Sequence, residues 1–145
     1  MSDYAYAKVD PSEVPQVWLE VSPLINKAMA TTTPQSSAEH FRRAIVDGKM
    51  DLFVALSDGK VAAILISQFI RHSNFTAFRV CIMAGTEPLA LETAMVEYWP
   101  KLIAWSRTHG ATKWEATCHP SMARLLRQHG FTHTSVICTM DIEGE

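Results

Sequence analysis

The sequence lacks the features that mark a membrane-spanning, secreted or polyanion-binding chain. No apolar run approaches the ~20 residues that a membrane-spanning helix needs. The N-terminal Met1-Ser-Asp-Tyr-Ala-Tyr6 has neither a basic start nor an apolar stretch, so no secretory leader is expected. Charge of one sign is missing too: 13 Lys and Arg stand against 15 Asp and Glu, a formal net charge of −2. That balance argues against nucleic-acid binding by bulk attraction. The basic pairs Arg42/Arg43 and Arg124/Arg127 sit on predicted helices, where solvated charge is the ordinary role.

Cysteine is scarce, and the three present, Cys81, Cys118 and Cys138, are an odd set without paired spacing. All fall in predicted strands among apolar residues, which reads as small core side chains in a reducing compartment. The expectation is a cytoplasmic protein, made inside a cell. A zinc site from Cys118, His119, His129 and His133 is not expected, because adjacent Cys118 and His119 point to opposite faces of a strand. Local motifs for Ser/His/Asp or Cys/His nucleophiles are lacking as well.

What is there reads as one α/β domain spanning residues 1–145, with 48% apolar and 19% charged residues. Residues Tyr4 to Val9 alternate as a first strand. Ser12, Glu13 and Pro15 open a helix whose apolar stripe runs from Val14 to Met29, with a kink or break expected at Pro23. Ser36 followed by Glu39 has capping-box spacing for a second helix, which Gly48 ends. A β meander follows: Leu52 to Leu56, a hairpin at Asp58-Gly59, Val61 to Ile70, a turn around Asn74, then Thr76 to Met83. On the third of these strands alternation puts Phe78, Val80 and Ile82 on one face.

The period then changes. Leu91, Ala94, Met95, Tyr98, Trp99, Leu102 and Ile103 form a helical stripe ended by Gly110, with a bend expected at Pro100. Lys113 to Cys118 reads as a strand and Pro120 starts a short helix. Thr134 to Ile142 reads as a last strand burying Val136, Cys138, Met140 and Ile142. Trp18, Trp99 and Trp114 lie on core-facing stripes; Trp105, off its stripe, is read as marking a partner surface. A helix between the third meander strand and the next implies a parallel crossover. The architecture expected is a central mixed sheet of about six strands with helices on both faces.

This element order, with Met122-Ala-Arg-Leu-Leu-Arg-Gln-His-Gly-Phe131, resembles the GNAT superfamily of acyl-CoA-dependent N-acyltransferases. The family phrase is roughly Ala-x-x-Leu-Tyr-x-x-x-Gly-Phe, and Ala123, Leu125, Gly130 and Phe131 match it. The resemblance implies a GNAT-like fold. It extends to small acetyltransferase-like proteins of tailed bacteriophages, some of them among virion genes, on the strength of size, fold and cofactor loop.

In the family a loop reading Gln/Arg-x-x-Gly-x-Gly/Ala cradles the pyrophosphate of coenzyme A at a helix start. Here the stretch is Met83-Ala-Gly-Thr-Glu-Pro-Leu-Ala-Leu91, with one glycine, Gly85, and no basic residue. It puts Glu87 where phosphates would sit, Pro88 removes a donor, and Thr86 is read as the helix cap. Leu126 stands where many relatives carry the tyrosine that protonates the leaving thiolate, and leucine has no proton to give.

Two functions therefore stand side by side. In the first the acyl-CoA site is degenerate, no cofactor is bound, and the chain is a structural or assembly component with protein partners, incorporated in a virion. In the second it is a divergent N-acetyltransferase moving an acetyl group from acetyl-CoA to a small-molecule amine or protein acceptor. Acetyl-CoA would then lie along Val80, Ile82, Met83, Gly85 and Thr86, with Glu115 as general base and His119 and His72 as secondary candidates. Read structurally, Glu115 is a surface carboxylate partnered by Lys113 or an arginine.

Overall fold

The structure, a computed structural model, describes residues 4–30, 36–117, 120–132 and 140–142. Strand β1 (Tyr4–Lys8) leads through a short 3-10 turn at Pro11–Glu13 into helix α1 (Val14–Met29). Helix α2 (Ala38–Val46) follows, then the meander β2 (Asp51–Ser57), β3 (Lys60–Arg71) and β4 (Thr76–Gly85). Helix α3 (Pro88–Thr108), strand β5 (Lys113–Ala116) and helix α4 (Pro120–Gln128) complete the order.

The described sheet has five strands in the order β1-β2-β3-β4-β5. All neighbours are antiparallel except β4 and β5, which run parallel, as a helical crossover requires. The β2–β3 hairpin turns on Asp58 and Gly59 with φ of 52° and 77°. Asp tolerates that left-handed region and Gly enters it freely, so Asp-Gly fixes the turn.

Apolar residues divide between the two sheet faces. Val21, Leu24 and Ile25 of α1 and Phe41 and Ile45 of α2 pack on Leu52, Val54, Ile64 and Ile66. On the other face Met95, Trp99 and Leu102 of α3 and Leu126 of α4 pack on Phe53, Leu65 and Phe78. Residues 133–139, most of the expected last strand, lie outside the described residues.

Five readings of the sequence are corrected. Helix α1 is not broken at Pro23, and α3 likewise runs as one continuous helix through Pro100. Both prolines face solvent, and the carbonyls they strip of a partner belong to Leu19 and Val96, residues on exposed turns where water can serve. The cap of α2 is Ser37, whose Oγ accepts from the His40 N–H at 3.2 Å, and not Ser36. Trp105 packs inward, with its ring 5.3 Å from Phe53 and 5.6 Å from Phe69. Met140 and Ile142 are exposed, outside any described strand.

The fifth correction bears on function. Ile66 and Ser67 of β3 face Ile82 and Val80 of β4, so Cys81 has no partner across the ladder. This β-bulge reverses the alternation. Phe78 and Val80 pack toward α3, whereas Ile82 and Ala84 pack toward α1 and α2.

Candidate functional site

Past the bulge the sheet opens. Among the described residues, β4 and β5 pair from Ala77↔Lys113 to Val80↔Ala116. β4 continues to Gly85 with no described strand on its β5 side. A cleft of about 570 Å³ fills the gap, between Val80–Gly85 on one wall and Ala116, Met122, Leu125 and Leu126 on the other. Its size lies in the range of about 300–1,000 Å³ usual for ligand pockets, and its walls are mainly apolar.

The main chain of β4 has a defined orientation here. The Thr86 N–H donates to the Ala62 carbonyl at 2.8 Å, across the β3 side of the ladder. Antiparallel alternation then turns residues 84 and 86 toward β3, and Met83 and Gly85 toward the cleft. The Lys27 ammonium, from the last turn of α1, meets the Gly85 carbonyl on that side at 2.8 Å.

At the mouth, the turn from β4 to α3 is two residues long, Thr86 and Glu87. Glu87 occupies the N-cap position without a side-chain cap bond, which corrects the expectation that Thr86 caps the helix. Thr86 is held by the sheet instead. Pro88 has no N–H, and those of Ala90 and Leu91 turn back to the Glu87 carbonyl at 3.1 and 3.4 Å. Gly85 has a packing reason to be glycine: a Cβ there would lie 3.0 Å from both the Glu87 carbonyl and the Leu91 nitrogen. Exposed Glu87 and Glu92 both border the cleft. The helix start that would receive an anion thus carries two carboxylates and one ammonium already bound to a carbonyl.

Glu115 lies one residue before the opening, on the strand face turned away from Trp114. Its Oε1 accepts from Arg79 Nε at 3.0 Å and Nη2 at 2.9 Å, and His72 Nε2 lies 3.2 Å away. The Lys113 ammonium instead sits 4.7 Å from the centre of the Phe75 ring, and Phe75 packs on His72. The structure thus joins two of the candidates, Glu115 and His72, through direct contact. His119 lies outside the described residues, with Cys118 and His133. No group of three metal-ligating side chains occurs among the described residues.

Two residues at the site were not anticipated. Arg79 is a lone charge in an otherwise apolar strand, a signal that asks for a partner, and β5 supplies one. Lys27 lies off the apolar stripe of α1, and nothing in the sequence distinguishes it from a solvated lysine. Cys81, at the bulge, also lines the cleft. Burial raises its thiol to about 11, so it stands protonated at neutral pH. Leu126 is buried, its side chain filling the helix face toward the cleft.

No family model matches the sequence, and no curated protein matches it. Solved structures do. One is an aminoglycoside acetyltransferase from an uncultured soil metagenomic sample, in complex with sisomicin. It has a TM-score of 0.70 and 10% identity over 99% of this chain and 97% of that one. A predicted acetyltransferase with acetyl-CoA from Clostridium acetobutylicum gives 0.71 and 13%, over 95% and 96%. Glucosamine-6-phosphate N-acetyltransferase from Arabidopsis thaliana gives 0.69 and 13%, over 98% and 100%. At these identities the likeness establishes the fold: a mixed α/β sheet with helices, of the GNAT type.

Proposed function

We propose that this chain keeps the GNAT scaffold without a working acyl-CoA site and serves as a structural or assembly component acting through protein partners. The small phage-encoded proteins it resembles offer the pattern for such a role. One observation carries the reading: the Thr86 N–H is committed to Ala62, at the place where a diphosphate needs unpaired donors. Glu87 and Glu92 add repulsion at the same point. Glu115 supports the reading as well, because its Oε1 is already engaged by the Arg79 guanidinium and lies 3.2 Å from His72 Nε2, so an amine would have to displace existing partners to reach it.

A second reading rests on the cleft itself. Its volume and the inward-facing main chain of Met83 and Gly85 favour a divergent N-acetyltransferase. There acetyl-CoA would lie along Val80, Ile82, Met83, Gly85 and Thr86, and Glu115 would accept the amine proton after release from Arg79.

Thiol release from acetyl-CoA separates the two. The purified chain would be assayed with a panel of amino acids, polyamines, an aminoglycoside and lysine peptides. The proposal expects release no faster than in buffer with every acceptor. Acceptor-dependent release, lost in Glu115→Gln, would establish the second reading instead.

A further inference from the structure

We infer that the cleft between β4 and α4 takes an extended segment of a partner protein, added to β4 as a strand and carrying a basic residue at the mouth. This rests on the non-catalytic reading above and names the chemistry of the partner. The first support is the strand edge. From Cys81 to Gly85, roughly 16 Å at strand rise, β4 has no described strand on its β5 side. The Met83 N–H and C=O face that side together, the arrangement with which one residue receives an added strand by a reciprocal pair of hydrogen bonds.

The walls fit alternating side chains. A strand lying in the gap turns one set toward Leu125 and Leu126 of α4 and the other toward Ala28 of α1. Both sets meet apolar surface, so the segment is apolar where it enters and not amphipathic. Charge then selects the end. Glu87 and Glu92 are exposed at the mouth, and the Lys27 ammonium beside them is occupied by the Gly85 carbonyl. Among the described residues, two carboxylates stand against one cation, which favours a basic ligand at the mouth. A lysine or arginine following the apolar residues completes it, whereas a phosphorylated or acidic tail is repelled.

The test is an amide NMR titration of the isotope-labelled full chain with two blocked peptides. One is acetyl-Val-Ala-Val-Ala-Val-Lys-Lys-amide, and the other ends in Glu-Glu in place of Lys-Lys. The inference expects saturable shifts centred on Met83, Gly85 and Ala116, with the basic peptide binding about fivefold more tightly. The exposed double variant Glu87→Gln/Glu92→Gln would abolish that preference while leaving the Met83 shifts. Equal binding of the two peptides, or no shift of these amides at millimolar peptide, overturns it. Acetyl-CoA added separately keeps the two claims apart. Shifts with thiol release would sink the non-catalytic reading, whereas silence toward both ligands would sink only the strand addition.

Discussion

The N–H of Thr86 and the carbonyl of Ala62 are joined by a 2.8 Å hydrogen bond that closes the sheet where β4 ends. That bond decides the direction of every main-chain group between Cys81 and Thr86. It commits a donor to the ladder, turns Met83 and Gly85 into the cleft, and brings α3 so close that a Cβ at position 85 would press on backbone at 3.0 Å.

Gly85→Ala therefore tests the tightness of this turn. The added methyl meets backbone at 3.0 Å on two sides, and backbone yields less than a side-chain end. The expected loss is about 1–3 kcal/mol in urea-induced unfolding. An unchanged midpoint would mean that α3 is free to shift away from β4.

Glu115 and Arg79 form a pair whose side chains are 31% and 38% exposed. Solvent screening at that exposure limits their coupling to about 0.5–1 kcal/mol in a double-mutant cycle with Glu115→Gln and Arg79→Met. Zero coupling would show that the carboxylate is available to another partner, as the enzymatic reading needs.

Ser67 is fully buried, and its hydroxyl has no hydrogen-bond partner among the described residues. Removing an unmet hydroxyl removes a desolvation penalty, so Ser67→Ala is expected to be neutral or to stabilise by up to ~1 kcal/mol. A loss above that size would point to a bond from Oγ.

Cys81 carries a pH signature. Its folded value, about 11, lies above the ordinary thiol value of 9.0 because burial disfavours the thiolate. The corresponding stability is fully present below about 9 and is lost as pH rises through about 11. Wild type should thus lose more stability across that window than Cys81→Ala, and its thiol should resist alkylation at neutral pH. Equal losses in the two proteins would contradict the burial.

Much of the fold was legible because local chemistry spoke for it: Asp58-Gly59 for the hairpin, the stripe from Leu91 to Ile103 for α3. The degenerate loop could also be read, since Glu87 and Pro88 are visible without coordinates. The bulge at Cys81 was not legible. Val80, Ile82 and Met83 are all apolar, so neither face announces itself when the alternation reverses. Nor could the sequence choose between adjacent Ser36 and Ser37 as a cap, because the choice rests on backbone angles. The Glu115–Arg79 pairing needed the adjacency of β4 and β5, residues far apart in the chain.

The central claim, that the turn after β4 no longer holds coenzyme A, is tested most directly by a thermal-shift titration with acetyl-CoA up to about 1 mM. A ligand with a Kd near 10 μM would stabilise the folded chain by about 2.7 kcal/mol at that concentration. That corresponds to a rise of roughly 5–10 °C for a domain of this size. The account predicts no change in Tm across the titration. A saturable rise would contradict it and place acetyl-CoA in the cleft despite Glu87 and Thr86.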